Sequence, residues 1–471
     1  MKILLIGNGA REHCIAASLV KSGRAKLFAY GKAKNPGIFE LAQEYQLGSL
    51  SNFPAILDFA KKVKPDFAFI GPDDPIGDGV ADLLLTIGIH SVAPLKTVAR
   101  LESSKSFTRD LVKKYKIPGN PDFKVFYEKA GIADYLKKLG GNFVVKADGL
   151  MGGKGVLVSG EHLKDSEEGE QYAENCIKKF GRVVIEEKLI GQEFSLMSFV
   201  DGKNVVDMVP VQDHKRAFDG DLGPNTGGMG SYSDADHLLP FLTKKDLEDA
   251  HAITEKVASA LFAETGVLFK GIMYGGFMAT AKGVSLIEYN ARFGDPEVMN
   301  VLPIMKTDLI EVCEGILSGD LKRVKVEFEK KATVCKYIVP EGYPEKPRVG
   351  EKIFIDAMSL RAHATKSSPV VSLRATAKQS GLGDRLAPAV SVHAESRPLL
   401  FYSSVDKRED GLYLSSSRAV AFVGIGDDLE SAEKIAQSAC ATVKGPVFYR
   451  KDVGTQALIQ KRVEMMRKLR G

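Results

Sequence analysis

The first hundred residues alternate apolar runs with helix-like segments, and this alternation most limits how the chain can fold. The runs KILLIG (2–7), KLFAYG (26–31) and DFAFIGP (66–72) each end at glycine or proline. Segments typical of helices lie between them, at residues 13–23 and 53–63. Strands that alternate with helices predict a parallel sheet with crossover helices, so we predict an α/β fold for this part of the chain.

The pattern changes further along the 471 residues, which are too many for a single core. Short strands predominate from about 120 to 188 and predict a small unit that can move as one body. A larger mixed region follows to about 328, and strand-like segments predominate after 330. The stretch 365–398 is rich in Ser, Ala and Arg without periodicity, which indicates a loop or an insertion.

Charge and cysteine usage exclude several classes of protein. A net charge of +5 is small for this length, and with no Trp and no aromatic-basic repeats it argues against nucleic acid as a partner. The five cysteines are scattered and form no C-x-x-C, which is typical of reduced thiols in the cytoplasm. We expect neither a signal peptide nor a membrane span, since no apolar run is long enough. A basic run, RKDVGTQALIQKRVEMMRKLRG (450–471), predicts an exposed, partly frayed helix.

The turn IGNGAREH (6–13) lies between a predicted strand and a predicted helix. Gly7 and Gly9 match the start of a dinucleotide fingerprint, but Glu12 occupies the third glycine position. A dinucleotide is therefore not expected. The helix N-terminus together with Arg11 suits a phosphate monoester. An equal alternative is that the segment is an ordinary strand-to-helix turn, which any parallel sheet contains, without a binding role.

A second glycine-rich segment, KADGLMGGKGV (146–156), does not match the P-loop pattern, because Gly155 follows Lys154 where Ser or Thr is needed. Apolar runs on both sides predict that it joins two strands. Such a hairpin can lie over a triphosphate as a flap and donate backbone N–H groups, with Lys146 as a fixed cation and Lys154 on the mobile part. A plain surface hairpin is the alternative.

Acidic residues at strand ends suggest where a metal and a nucleoside bind. Glu288 and Asn290 lie two residues apart in SLIEYNARFGDPE and therefore share a strand face, and with Arg292 beside them they predict a magnesium site next to a phosphate. Glu186, Glu187 and Glu193 surround a strand exit where adenine edges and ribose hydroxyls could be held. The alternative for Glu288 and Asn290 is a pair that faces solvent without a metal. The alternative for the three glutamates is that they are charges on an edge strand.

The segment QDHKRAFDGDLGPNTGGMG (212–230) is too rich in glycine and charge for a core and predicts a binding loop. Its mixed charges, Asp213, Lys215 and Arg216, suit a zwitterion or a phosphate. His214 taken alone is more typical of a structural residue.

Taken together and in this order, these motifs resemble the ATP-grasp ligases, and most closely the phosphoribosylamine–glycine ligase family of purine biosynthesis. GNGAREH, SKSFTRD, KADGLMGGKGV, VIEEKL, QDHKR, GPNTGGMG and EYNARFGDPE carry the resemblance over nearly the whole chain. It implies an N-terminal parallel α/β (preATP-grasp) domain at 1–102 and an ATP-grasp region at 103–328. That region would comprise a small mobile lid (about 120–188) and a central α+β body (about 189–328). A C-terminal β-rich domain at 329–471, with an insertion at about 357–398, would complete the chain.

The resemblance also implies roles for individual residues. It implies ATP contacts at Lys105, Lys146, Gly152, Gly153, Lys154, Glu186, Glu187, Leu189 and Glu193. It implies Mg²⁺ or Mn²⁺ at Glu288 and Asn290. It implies substrate contacts at Gly9, Arg11, Glu12, Asp213, His214, Lys215, Asn225, Thr226, Gly227, Gly228, Arg292, Gly294 and Asp295. Lys146, Arg292 and Asp295 would be catalytic.

The implied reaction joins glycine to 5-phosphoribosylamine through glycyl phosphate, with ATP converted to ADP and phosphate. It needs no protein nucleophile, and the sequence offers no convincing Ser/His/Asp or Cys/His set. We expect a cytoplasmic monomer, with transient contacts to neighbouring purine-pathway enzymes left open. Another ATP-grasp ligase such as a carboxylase, which fits QDHKR and GPNTGGMG poorly, and an ATP-binding regulator without turnover are the rival interpretations. The turn SSSR (415–418) departs from the Asn-Gly-Gly-Arg-like pattern of the family.

Overall fold

The computed structural model describes residues 1–151, 155–355 and 397–471. Gly152, Gly153 and Lys154 of the predicted flap lie outside these ranges, as does all but the end of the predicted insertion at 357–398.

The N-terminal residues form a five-stranded parallel sheet, as the alternation of strands and helices predicted. The strand order is β3-β2-β1-β4-β5. The strands are β1 Lys2–Ile6, β2 Lys26–Gly31, β3 Ala42–Leu47, β4 Phe67–Ile70 and β5 Ser91–Val92. The helices are α1 Ala10–Val20, α2 Pro36–Leu41, α3 Phe53–Val63, α4 Asp73–Asp78, α5 Val80–Leu85 and α6 Lys96–Ser103. The central strands β1 and β4 are almost wholly buried, because helices cover both faces of the sheet.

A four-stranded antiparallel sheet with its own core spans residues 123–187, and we call this unit the lid. Helix α7, Lys105–Lys114, leads into it. Its elements are β6 Phe123–Phe126, α8 Ile132–Lys138, β7 Phe143–Ala147, β8 Val156–Val158, α9 Ser166–Phe180 and β9 Val183–Glu187. The predicted flap joins β7 to β8, which are antiparallel neighbours, so it does connect strand to strand.

The body follows the lid and is built on the antiparallel sheet β11-β10-β16-β17. Its strands are β10 Gly191–Val200, β11 Val205–Asp207, β12 Gln212–Asp213, β13 Arg216–Phe218, β14 Leu222–Asn225, β15 Gly230–Ser233, β16 Gly271–Thr280 and β17 Gly283–Asn290. Its helices are α10 Lys244–Thr265, α11 Val298–Val301 and α12 Leu309–Ser318, with single 3₁₀ turns at Leu302–Ile304 and Leu321–Arg323. Strands β13 and β14 form a separate hairpin.

The C-terminal region shares a sheet with the body. Strands β12 and β15 of the body continue through β18, β23 and β20, so this sheet crosses the predicted boundary at residue 329. The elements are β18 Ala332–Pro340, β19 Lys352–Ile355, β20 Leu399–Tyr402, β21 Val405–Arg408, β22 Gly411–Leu414, β23 Val420–Gly426, α13 Leu429–Cys440, β24 Val443–Lys444, β25 Val447–Phe448 and α14 Gln456–Arg470.

The basic run at the C-terminus differs from the prediction of an exposed, frayed helix. Arg450 precedes α14, and its side chain is fully buried against Asp452 and Asp221. Arg470, one residue from the end of the chain, makes two bonds of 2.7 and 2.8 Å to Asp246 of α10. The prediction was wrong for these arginines because a run of like charges in sequence does not reveal acidic partners elsewhere in the fold.

Two global expectations can be compared with the structure. Among the described residues, no helix is long and apolar enough to cross a membrane. All five cysteines are free and buried, in keeping with the expectation of reduced thiols.

Candidate active site

A buried ion network joins the lid to the body. The Glu186 carboxylate of β9 accepts bonds of 2.6 and 2.8 Å from the Arg109 guanidinium of α7. It also lies 2.7 Å from Lys146 Nζ of β7. Lys146 Nζ and Arg109 both donate to the carbonyl of Ile287 in β17, at 3.0 and 2.7 Å. Three separate elements therefore converge on the edge strand of the body sheet.

The charges in this network hold Glu186 ionised. Burial by itself raises the pKa of Glu186, but Arg109 and Lys146 outweigh burial and lower the pKa to about 2. All three side chains are at most 5% exposed. Removal of Glu186 would leave two buried cations without their counter-charge, whereas removal of either cation leaves Glu186 with one charged partner.

Lys105 lies at the start of α7 and contacts the first residues of the flap. Its Nζ donates to the carbonyl of Gly149 at 2.9 Å. The buried Asp148 carboxylate accepts bonds from the backbone N–H and the hydroxyl of Ser106, at 3.2 and 2.6 Å. It also forms an ion pair with Arg182 of the lid. These contacts fix the base of the flap against the end of α7 that carries Lys105.

The connection from β9 to β10 holds the other acidic candidates. Glu187 is exposed, and its carboxylate accepts a bond of 2.8 Å from the backbone N–H of Asp122. Leu189 is half-buried in the connecting segment. Glu193 on β10 forms an ion pair with Lys215. Glu187 therefore already has a structural partner at the lid edge, whereas Glu193 faces the segment that carries Lys215.

Several of the predicted cationic residues act electrostatically on Glu288 of β17. Burial raises the pKa of Glu288, but nearby cations outweigh burial and bring the pKa below its ordinary value. These cations are Lys215, Lys105, Lys146 and Arg292, from four separate segments of the chain. Within the described chain, the Glu288 carboxylate makes no hydrogen bond.

Arg292 follows β17 and lies beside Asn290. Its guanidinium donates to the Asn290 side-chain oxygen at 3.3 Å and lies 3.2 Å from the buried carboxylate of Glu102. Glu102 also accepts the backbone N–H of Ala291 at 2.7 Å. The Nε atom of Arg292 is buried without a partner among the described residues. One donor of this guanidinium is thus available for an acceptor other than the described residues.

Two carboxylates, those of Asp213 and Glu297, interact electrostatically, and that of Asp213 lies beside the Gly228 turn. Burial raises the pKa of Asp213 well above its ordinary value, and the charge of Glu297 raises it further. Burial also raises the pKa of Glu297, whose carboxylate accepts the Tyr274 hydroxyl at 2.8 Å. The charge of Lys215 opposes both of these pKa shifts. A bound cation beside these acids would lower their raised pKa values and favour the ionised carboxylates.

His214, between Asp213 and Lys215, points elsewhere. Its ring is buried and packs against Tyr232, with ring centroids 5.8 Å apart. Neither ring nitrogen has a hydrogen-bond partner in the described part of the chain. Burial lowers the pKa of His214 to about 3, so the ring is neutral at physiological pH. The structure therefore separates His214 from the cluster around Glu288.

The turn Asn225–Gly228 is held from two sides. The Thr226 backbone N–H and hydroxyl both donate to the carbonyl of Lys215, at 2.7 and 2.9 Å. Gly228 has φ of +103°, and a Cβ there would lie 2.6 Å from Pro296, so only glycine suits this position. The Asn225 amide nitrogen lies 3.3 Å from the His162 ring.

Arg418 of the C-terminal region locks this turn to Asp295. Its guanidinium donates to the carbonyls of Gly227 and Gly228, at 2.5 and 3.0 Å, and pairs with the Asp295 carboxylate at 3.0 Å. The second Asp295 oxygen accepts the Tyr337 hydroxyl at 2.6 Å. Both Asp295 oxygens are therefore bonded within the protein.

The residues predicted to bind a phosphate monoester lie at the start of α1. The Glu12 carboxylate accepts the backbone N–H of Gly9 at 2.6 Å and pairs with Arg11 at the same distance. It also fills the space beside Gly7, where a Cβ would lie 2.5 Å from the Glu12 side chain. Asp73 lies close enough to Arg11 and Arg292 for both charges to offset the effect of burial and lower its pKa. Asp73 thus connects this end to the cluster around Glu288.

Comparison with known proteins identifies the family. The sequence matches the N domain of phosphoribosylglycinamide synthetase over residues 1–102, the ATP-grasp (A) domain over 103–298 and the C domain over 333–456. It is 46% identical, over all of both chains, to the phosphoribosylamine–glycine ligases of Methanococcus maripaludis and Methanocaldococcus jannaschii. The chain belongs to the phosphoribosylamine–glycine ligase family. The family resemblance of the sequence motifs is confirmed.

Solved structures show the same architecture. The phosphoribosylamine–glycine ligase of Thermotoga maritima superimposes with a TM-score of 0.72 at 25% identity, covering 96% of this chain and 100% of that one. The biotin carboxylase domain of Hydrogenobacter thermophilus 2-oxoglutarate carboxylase gives 0.68 at 15% identity, covering 99% and 93%. The second likeness concerns the fold alone. The predicted α/β ATP-grasp fold is thereby confirmed.

ATP-grasp ligases use ATP with divalent metal ions, and the oxygen atoms on β17 fit such an ion. Glu288 and Asn290 share a strand face, and the Glu288 carboxylate has no hydrogen bond within the described residues. Mg²⁺ and similar hard cations are usually held by one or two protein oxygens together with substrate phosphates and waters. A cluster of three or more acidic, His or Cys ligands is absent from the described residues.

Three residues of the candidate site were not predicted from the sequence. Arg109 and Glu102 are buried and bonded to predicted site residues, and Glu297 is buried and acts electrostatically on Asp213, yet none of the three was singled out. Arg109 lies within SKSFTRD, Glu297 lies within RFGDPE, and Glu102 lies two residues before SKSFTRD. Charged residues inside such motifs were the available signal.

Proposed function

We propose that this chain joins glycine to 5-phosphoribosylamine at the expense of ATP, through glycyl phosphate. The observation that supports this best is the gathering of four cations around Glu288. Transfer of a γ-phosphate to a carboxylate brings two anions together, and catalysis depends chiefly on positioning them and neutralising their charge.

Lys105 and Lys146 would bind the ATP phosphates. Lys146 is fixed by Glu186 and by the Ile287 carbonyl, so little reorganisation is needed when a phosphate arrives. Lys105 lies at the base of the flap, beside Gly149. The connection around Leu189, with Glu193 nearby, would hold the nucleoside; we propose that Glu187 contributes through its backbone, because its carboxylate is bonded to Asp122.

Glu288 and Asn290 would hold Mg²⁺ or Mn²⁺. When bound, the ion would neutralise phosphate charge. Arg292, whose Nε has no partner among the described residues, would bind the phosphoryl group as it passes to the glycine carboxylate. Glu102 orients this guanidinium from behind.

Asp213 and Glu297 would hold the ammonium group of glycine. The charge of Glu297 raises the pKa of Asp213, and an ammonium group beside the two acids would oppose this effect. Lys215 acts on all three carboxylates, because its charge lowers the pKa of Asp213, Glu297 and Glu288. It would therefore face the glycine carboxylate while the acids face the amine.

The chemistry then proceeds in two steps. A glycine carboxylate oxygen attacks the γ-phosphorus, and the bond between that phosphorus and the ADP oxygen breaks. The amine of phosphoribosylamine attacks the acyl carbon, and phosphate leaves with the oxygen that came from glycine. The described residues act by binding and orienting the reactants, and none forms a covalent bond to them in this scheme.

The phosphate of phosphoribosylamine would lie at the start of α1, near Arg11. Glu12 already caps one N–H group of this helix, so Arg11 and the remaining N–H groups would supply the attraction. Gly227, Gly228, Asp295 and Arg418 would form the wall opposite, with Asp295 fixing the turn rather than exchanging a proton. We further propose a cytoplasmic monomer that binds small molecules only, with transient contacts to neighbouring purine-pathway enzymes left open.

An isotope experiment tests the intermediate. Glycine labelled with a heavy oxygen isotope in its carboxylate is supplied with ATP, magnesium and phosphoribosylamine, and the released phosphate is examined by mass spectrometry. We expect one labelled oxygen in each phosphate, because the carboxylate oxygen leaves with the phosphoryl group. Unlabelled phosphate would contradict glycyl phosphate and would indicate that water attacks ATP directly.

A further inference from the structure

The tip of the lid touches the β13–β14 hairpin. We define the lid tip as Glu161 and His162, which follow β8. One Glu161 oxygen accepts a bond of 2.6 Å from the Arg216 guanidinium, and the other lies 3.2 Å from Lys188 Nζ. The His162 ring lies 3.3 Å from the Asn225 side chain. The far end of the lid is therefore in contact with the binding loop.

The hairpin is itself anchored from the opposite side. The buried guanidinium of Arg450 donates to the Arg216 carbonyl at 3.2 Å and to Asp221 at 2.9 Å. Asp452, which pairs with Arg450, accepts the backbone N–H of Gly220 at 2.8 Å. The hairpin is thus fixed to the C-terminal region, so it offers the lid a stationary contact point.

The same hairpin forms part of the active-site wall. Lys215, the residue before Arg216, pairs with Glu193, and its carbonyl accepts the Thr226 N–H at 2.7 Å. A contact between Arg216 and the lid tip therefore forms one residue away from a group that we have assigned to glycine. The contact that would hold the lid closed is therefore adjacent to the loop that would bind glycine.

We propose that Arg216 is a positioning residue whose contact with Glu161 keeps the lid closed while glycyl phosphate exists. The inference rests on the proposed function. Glycyl phosphate reacts with water: attack of a water oxygen on the acyl carbon breaks the bond to phosphate and returns glycine and inorganic phosphate. ADP has then been released without formation of an amide. A closed lid prevents this loss by excluding water.

The pair is suited to a reversible contact. The Glu161 side chain is 41% exposed and that of Arg216 is 22% exposed. Ion pairs at such exposure contribute weakly, enough to shift a closed-to-open ratio by up to about five-fold. The contact can therefore favour closure during the reaction and still open for product release.

The test measures ADP released and glycinamide ribonucleotide formed in the same reaction. The variants are Glu161→Ala, Arg216→Gln and the double variant, with Lys129→Gln as a matched control. Lys129 pairs with Glu174 at 2.6 Å wholly within the lid, away from its tip. We expect the wild type and Lys129→Gln to give equal amounts of both products. Each single variant should release about two-fold more ADP than amide, and the double variant should be no worse than the worse single variant.

Two outcomes would overturn the inference. The first is equal amounts of ADP and glycinamide ribonucleotide in both single variants. The second is a double variant whose ratio of ADP to glycinamide ribonucleotide is the product of the ratios of the single variants. If the wild type forms no amide, the proposed function fails instead. Hydrogen exchange of the β7 and β8 amides with a non-hydrolysable ATP analogue then still tests the contact. Faster exchange in Arg216→Gln than in wild type supports it, and equal exchange overturns it.

Discussion

Replacing Lys146 with alanine is expected to lower kcat/KM for ligation about 1,000-fold, since it removes a preorganised cation from the phosphates. The lysine is held between Glu186 and the Ile287 carbonyl and is 5% exposed, so its ammonium group is fixed in place and largely shielded from water. The fold should survive, because Glu186 keeps both of its bonds to Arg109.

The rate is measured as ADP released with saturating glycine and phosphoribosylamine. Lys124→Ala is the matched control, because Lys124 is an exposed lysine on β6 of the same lid sheet. The control should behave like wild type. A change below about ten-fold in Lys146→Ala would contradict the assignment of Lys146 to the phosphates.

Replacing Arg109 with alanine is expected to lower the free energy of unfolding by about 3–5 kcal/mol, the usual cost of removing one partner of a buried ion pair. Arg109 makes bonds to Glu186, to the Leu286 carbonyl and to the Ile287 carbonyl, and its side chain is 3% exposed. The loss leaves Glu186 buried with only Lys146 as a charged partner.

Urea denaturation of Arg109→Ala and of Lys114→Ala measures this effect. Both residues lie on α7, but Lys114 forms an exposed pair with Glu264, which should contribute little. We expect a clear shift of the unfolding midpoint for Arg109→Ala and almost none for Lys114→Ala. Equal shifts would show that the buried network does not stabilise the junction between lid and body.

Local sequence signals predicted the elements well where burial fixes them. KILLIG and DFAFIGP are continuous apolar runs because helices cover both faces of the parallel sheet. The pairing of β15 with β18 had no such signal, since a hundred residues separate the two strands in sequence and only tertiary packing brings them together. The shared sheet of body and C-terminal region was therefore not predicted.

Site residues were predicted where their spacing has a chemical meaning. Glu288 and Asn290, two residues apart on a strand, and Lys146 at a strand end next to glycines were selected in this way. Arg109 was missed because a charged residue on a polar helix is typical of a solvated face. Arg450 was misinterpreted for the same reason, since its acidic partner Asp221 is far away in sequence.

The most direct measurement of the proposed reaction is ADP release with magnesium and ATP when glycine and phosphoribosylamine are omitted in turn. Phosphoribosylamine can be formed in place from ribose 5-phosphate and ammonia. We expect full release and formation of glycinamide ribonucleotide only when both substrates are present. Equal ADP release in the absence of either substrate, or of both, would contradict the ligase reaction.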